Sequence, residues 1–270
     1  MTSHHKVPAD LPADLIDLDR WPVADPASPP AAAVVRRARS ALADQGFALL
    51  PGFLRPQAVA RLRAEADGLM DRAHAVNRFR PAGQVWPDSR GDWRLPADYV
   101  QRYASVPYDA MAADSGARRL YQWSGLTCLI GAIIGDEPLY PMDDPAFACL
   151  LHVMRADDRL DWHFDPNDAV ATLTLDAPAS GGEFEIAPGV RDGGEETPAM
   201  AARLQDVVSG RWPAIHQVAP RPGDLLVFQG HMAMHRVREI GGAAARRNLV
   251  WSYTSLVGEG FTGDRTAYGA

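Results

Sequence analysis

The sequence predicts an α+β, mainly β chain whose core is a double-stranded β-helix, or jelly roll. Three observations carry that expectation. Helical periodicity dominates the chain before Asp144 and recurs after it only in one insertion, eight short β-rich runs follow from Ala146 onward, and Gly- and Pro-bearing turns separate those runs. Eight short strands within one C-terminal half suit two antiparallel sheets folded as a flattened barrel.

In chain order, residues 1–30 are rich in Pro, Ala and Asp and read as an irregular N-terminal arm with one short strand at most. Residues 31–44 read as a helix, and Gly46 to Leu50 as a strand stopped by Pro51-Gly52. A second helix is expected over 56–76, where Leu62, Ala66 and Leu69 share one face. Residues 77–96 hold three prolines and two tryptophans and read as a long ordered loop, a common place for substrate contacts. Arg78 and Arg80 in it read as solvated charges, with a substrate-carboxylate clamp as the alternative. A third helix is expected over 117–134, with Leu120, Trp123, Thr127, Ile130 and Ile134 at helical spacing and Gly135 as its stop.

The β-rich runs cover 146–155, 160–165, 169–176, 182–187, 215–218, 224–229, 232–237 and 246–255. An insertion at 191–210 is helical in pattern over 198–208. The expected organisation is therefore the arm, then one domain over 31–270, helical over 31–144 and barrel-forming over about 145–256.

The net charge of -7 argues against a nucleic-acid surface, which wants a basic stripe. No apolar run approaches the roughly 20 residues that span a bilayer, and residues 1–25 lack a hydrophobic signal core. Cys128 and Cys149 stand in apolar surroundings and are expected as buried free thiols. Together these features point to a cytoplasmic protein with neither membrane nor nucleic acid as partner.

One constellation carries chemistry. Trp162-His163-Phe164-Asp165 is followed 70 residues after Asp165 by His235, giving His-x-Asp…His. On a strand, residues two apart face the same way, so His163 and Asp165 can bind one ion while Phe164 points into packing. Two histidines and a carboxylate on one face of Fe(II) leave the other face for oxygen chemistry. His216 and His231 are rival distal ligands; His235 is preferred because it lies within a strand and Arg246 follows it by 11 residues. A planar, permanently charged arginine suits the far carboxylate of a 2-oxoglutarate cosubstrate. Arg246 and Arg247 are adjacent, so only one points inward; the spacing favours Arg246. Asn167 and Asp168 read as pocket mouth or turn, and Trp162 as a ring beside the metal. The Gly181-Gly182-Glu183-Phe184-Glu185 stretch reads as a strand entry, since no helix follows it to make a phosphate loop.

The stretches around His163, Gly181–Glu185, Pro222-Gly223-Asp224-Leu225 and His235-Arg236-Val237, with Tyr121-Gln122-Trp123 and Leu139-Tyr140 upstream, identify a resemblance. The chain resembles the Fe(II)/2-oxoglutarate oxygenases related to the free-amino-acid (lysine-type) halogenases and hydroxylases, most clearly over about residues 120–255. The resemblance implies a cupin-like jelly roll with helices packed on its major sheet. It implies His163, Asp165 and His235 as iron ligands, Arg246 as cosubstrate clamp, and O2 as second cosubstrate. The halogenases of that group carry a small residue where Asp165 stands, opening a coordination position for chloride, so hydroxylation is expected here. Lysine-acting members place polar substrate contacts three residues before and after the first iron histidine. Leu160 and Pro166 occupy those positions, which disfavours lysine. The expectation is hydroxylation of a small molecule, a free amino acid foremost, with release of succinate and CO2. The alternatives are a jelly-roll metalloenzyme that works without 2-oxoglutarate and a non-catalytic jelly-roll binding protein.

Overall fold

The structure, a computed structural model, describes residues 11–86, 93–135, 138–191 and 197–262. Residues 1–10 of the expected arm, 87–92 of the expected loop and 192–196 of the insertion lie outside the described residues. Residues 11–28 are irregular. Ile16 bridges Leu54, and Leu15, Ile16 and Val23 are buried in the same cluster as the helices.

Helix α1 (Pro29–Gln45) begins where Ser28 accepts a hydrogen bond from the Ala31 amide and Pro29 supplies the first helical turn. It ends at Gly46, which is left-handed with φ 81°. Strand β1 (Phe47–Leu50) and helix α2 (Pro56–Asp67) follow. The helix stops at Asp67, not near Val76 as its periodicity suggested. Beyond a short turn, β2 (His74–Arg80) pairs along its whole length with β3 (Tyr99–Val106). This hairpin replaces the end of the expected helix and the start of the expected loop. Val76 alone of the β2 residues is buried, so this edge strand has no alternation to betray it.

The expected helix over 117–134 is two helices, α3 (Gly116–Gln122) and α4 (Ser124–Ile134), broken where Trp123 turns extended at ψ 114°. Its indole lies over Gly125, where an added Cβ would come within 2.3 Å of the ring. Cys128 is exposed on α4, contrary to the sequence expectation, because it lies on the face turned from the core. Cys149 is buried, and burial pushes its thiol up to about 12.

The remaining elements are β4 (Tyr140–Pro141), β5 (Cys149–Met154), β6 (Arg159–His163), β7 (Ala169–Asp176), β8 (Ser180–Gly181), β9 (Phe184–Ala187), α5 (Pro198–Val208), β10 (His216–Val218), β11 (Leu225–Phe228), β12 (Met234–Val237), β13 (Ile240–Gly241) and β14 (Arg246–Thr254). Each of the eight expected runs holds one strand. Together with β1 and β3 these eight form a curled antiparallel sheet in the order β1-β11-β7-β14-β5-β3-β6-β12-β9-β10. Strand β3 is the corner: Ala104–Val106 pair with β5, and Gln101 and Arg102 pair with β6.

Period-2 alternation divides the apolar side chains into three clusters. Leu151, Leu173, Val227, Leu249 and Trp251 face the helices α1–α4. Met154, Val170, Phe184, Ile186, Phe228 and Val237 fill the barrel interior. Trp162, Phe164 and Met234 turn to the opposite outer side, under α5, Trp86 and Leu95. The architecture is a jelly roll with helices on its major sheet.

Gly125→Ala is expected to cost about 1–3 kcal/mol of stability by overpacking against Trp123. Urea unfolding would show a lowered midpoint; an unchanged midpoint would mean the indole is free to move aside.

Candidate metal centre

Strands β6 and β12 are antiparallel, with His163 directly opposite His235. The register shifts between His235 and Val237, which pairs with Leu160. The two imidazole centroids stand 4.2 Å apart, and both residues are buried. His163 Nδ1 lies 2.8 Å from the Asp161 carbonyl oxygen, and His235 Nδ1 lies 3.0 Å from that of Ala233. A carbonyl only accepts, so each Nδ1 carries the proton in these bonds and each Nε2 presents its lone pair. Such backbone bonds are how metal-binding histidines are usually oriented.

Asp165 completes the cluster. Its Oδ1 is 3.5 Å from His163 Nε2 and its Oδ2 is 3.2 Å from His235 Nε2. One ligand atom from each of His163, Asp165 and His235 falls within 4.8 Å of the others, and no other such group occurs among the described residues. Burial pushes the Asp165 carboxyl up, but His235 and His163 beside it outweigh burial and hold it well below the usual carboxylate range.

Gly230 makes room for this carboxylate. The Asp165 amide donates to the Gly230 carbonyl at 3.0 Å, and a Cβ on Gly230 would lie 2.1 Å from Asp165 Oδ2. Nothing in the one-dimensional pattern singled out Gly230, because its role depends on a neighbour 65 residues away.

The rival histidines lie elsewhere. His216 is on β10, across β9 from β12. His231 lies in the turn before β12, and its carbonyl accepts from Arg191 at 2.6 Å. Trp162 does not flank the cluster: alternation sends it to the outer face, where Arg236 stacks on it at 4.7 Å. Phe164 shares that outer cluster, as the alternation required.

Arg246 and Arg247 part as adjacent strand residues must. Arg247 points outward and pairs with Asp176 and Asp67, each at 2.5 Å. Arg246 is 7% exposed, opposite Met154 of the barrel interior, with its guanidinium 4.0 Å from the Met154 sulfur. No carboxylate pairs with it among the described residues. Burial pushes it down to about 10, which still leaves it charged at neutral pH. A buried cation without an acidic partner is costly and calls for an anionic ligand.

Of the other residues singled out, Arg78 and Arg80 are half-buried on the face of β2 that Val76 also occupies. Asn167 is buried and donates to Ser252 Oγ at 2.8 Å, and Asp168 accepts from the Ser255 amide. Gly181 and Gly182 have positive φ in the entry to β9, and Glu185 beyond them pairs with Arg236 and Arg238. His152, Ser105, Thr172 and Thr174 also face the interior and were not singled out by the sequence. Their only signal is alternation within strands that otherwise read as apolar.

Gly230→Ala should drive the Asp165 side chain off its position. Divalent-metal affinity is expected to fall about 10- to 100-fold, the usual effect of disturbing a ligand's support. Metal titration of wild type and variant, with far-UV circular dichroism to check the fold, measures it; unchanged affinity would mean that Asp165 binds from another rotamer.

Comparison with known proteins follows the same lines. The fold is shared with a 2OG-Fe(II) oxygenase family oxidoreductase from Burkholderia pseudomallei, at TM-score 0.54 and 18% identity over 83% of this chain and 92% of that one. It is shared with the non-haem alpha-ketoglutarate-dependent epimerase SnoN of nogalamycin biosynthesis, at TM-score 0.58 and 18% identity over 83% of each chain. It is shared too with HygX from Streptomyces hygroscopicus, solved with nickel, 2-oxoglutarate and hygromycin B bound, at TM-score 0.56 and 17% identity over 84% and 96%. No curated protein matches the sequence. The model of the family HalD, Halogenase D, matches residues 30–258, a span that takes in the helices, the barrel, the His163–Asp165–His235 cluster and Arg246. The chain belongs to the Halogenase D family.

Proposed function

We propose that this chain is an Fe(II)- and 2-oxoglutarate-dependent dioxygenase that hydroxylates an unactivated C–H bond of a small molecule, a free amino acid foremost. One observation carries the proposal: a two-histidine, one-carboxylate cluster shares a barrel interior with a buried arginine that has no acidic partner among the described residues. The donor set suits ferrous iron, and the arginine suits the far carboxylate of the cosubstrate.

The chain's own residues have distinct tasks. His163 and His235 hold their Nε2 atoms toward the ion through their Nδ1 bonds, and Asp165 supplies the anionic ligand. Arg246 orients the cosubstrate so that its 2-oxo acid end reaches the metal. The apolar interior around Phe184, Ile186 and Phe228 excludes water from the reacting positions. When bound, iron and 2-oxoglutarate supply the oxidising power: the substrate C–H bond becomes C–OH, O2 is consumed, and the cosubstrate leaves as succinate and CO2.

Hydroxylation is favoured over halogenation, despite the family's description, because of Asp165. Its carboxylate fills the position beside both imidazoles, and Gly230 is shaped around it. A halide would have to displace that charged ligand. The neighbours HygX and SnoN are described with hygromycin B and with nogalamycin biosynthesis, so the fold takes small molecules larger than an amino acid. Desaturation and ring closure are further outcomes open to the same site.

The test needs no knowledge of the substrate. Metal-free protein given Fe(II) and 2-oxoglutarate without oxygen is expected to develop a visible metal-to-ligand charge-transfer band. His235→Ala is expected to lose it, and Arg246→Ala to weaken 2-oxoglutarate about 10- to 100-fold, the value of a charged hydrogen-bond partner. Iron binding without the band, or turnover little affected in Arg246→Ala, would favour a 2-oxoglutarate-independent metalloenzyme. Absence of iron binding would favour a binding protein. Screening amino acids by succinate release and product mass would then identify the substrate.

A further inference from the structure

The inner face of the major sheet carries a transverse polar row. Ser105 of β3 is in register with His152 of β5, His152 with Asn248 of β14, and Asn248 with Thr174 of β7. Four adjacent strands thus place a polar side chain at one level of an otherwise apolar barrel. Ser105 is 6% exposed and Asn248 1%. Asn248 Nδ2 donates to Thr174 Oγ1 at 3.0 Å, which uses one end of its amide. The Asn248 Oδ1, His152 Nε2 and Ser105 Oγ atoms are sealed from solvent and have no hydrogen-bond partner among the described residues. Three neighbouring orphans of this kind are costly unless a ligand satisfies them.

The position of the row says which ligand. Arg246 lies two residues before Asn248 on the same face of β14, about 7 Å along the strand. Arg246, Asp165 and His163 all lie near enough for their charges to act on the His152 imidazole. His152 therefore neighbours both the buried cation and the metal cluster, the two groups that a bridging molecule would meet. Burial foremost, then Arg246, pushes its pKa down to about 3. A neutral imidazole has one N–H to donate and adds no charge to a site that already holds Arg246 and calls for a metal ion. Tyr103 packs on the ring with centroids 4.6 Å apart, which fixes its plane.

We propose that His152, flanked by Ser105 and Asn248, is a cosubstrate-binding residue that hydrogen-bonds the 2-oxo acid end of the cosubstrate, while Arg246 holds the far carboxylate. This deepens the dioxygenase reading and rests on it. The two contacts divide one molecule between them. Arg246 selects for a second carboxylate, and the His152 row orients the end that meets the metal.

The division is testable by binding alone. Fe(II)-loaded protein without oxygen is titrated with 2-oxoglutarate and with pyruvate, which shares the 2-oxo acid end and lacks the far carboxylate; the charge-transfer band reports binding. His152→Leu is expected to weaken both ligands about 10-fold or more, with Fe(II) affinity unchanged, whereas Arg246→Ala weakens 2-oxoglutarate alone. His152→Gln, which keeps a hydrogen-bonding end, is expected to recover much of the affinity; His152→Phe, which removes that end, serves if the leucine variant fails to fold. Full affinity for 2-oxoglutarate in the leucine or phenylalanine variant would overturn the proposal. So would a loss confined to 2-oxoglutarate, which would place His152 at the far carboxylate. A wild type that gives no band with 2-oxoglutarate would instead overturn the dioxygenase reading, so the two failures are distinguishable.

Discussion

The pairing of β6 with β12 in the register His163 opposite His235 is the constraint on which the site depends. Side chains alternate along a strand, so a slip of one residue on either strand would turn an imidazole out of the barrel. The outer face guards the register. Trp162, Phe164 and Met234 must stay buried under α5, and Arg236 must keep both its Glu185 partner and its stack on Trp162. Apolar packing on one side of the sheet thereby fixes the placement of the candidate ligands on the other.

A second consequence of alternation is the sorting of charge. Arg247 finds Asp176 and Asp67 on the outside, while Arg246, one residue earlier, enters an interior that offers it a thioether and, among the described residues, no carboxylate. Among the described residues, the interior holds a guanidinium without an acidic partner and unmatched His152, Asn248 and Ser105 atoms in the transverse row. In a barrel otherwise lined by Phe, Ile, Val and Met, such groups are a cost to folding that only a bound ligand offsets. Binding and stability are therefore linked, and ligand addition should stabilise the folded chain.

Much of this was legible in the sequence, for physical reasons that can be named. A His-x-Asp pair on a strand needs only period-2 geometry to be read, and each of the eight β-rich runs held a strand because turn residues bounded it. Parity showed that only one of Arg246 and Arg247 points inward; it did not identify the inner face, which required Trp251 and Leu249 to be seen against the helices. The β2–β3 hairpin was missed because β2 is an edge strand with one buried residue, stabilised by cross-strand bonds that leave no local pattern. The break at Trp123 was missed because it depends on an indole lying over Gly125, while the apolar spacing runs on across it as in a continuous helix. His152 and Gly230 matter through partners distant in sequence, so neither announced itself.

The most direct test is a crystal structure of the protein grown without oxygen in the presence of Fe(II) and 2-oxoglutarate. The expected result is one metal bound by His163 Nε2, His235 Nε2 and an Asp165 carboxylate oxygen, chelated by a 2-oxoglutarate whose far carboxylate meets Arg246. A metal held by other residues, or a cosubstrate lying away from Arg246, would contradict it.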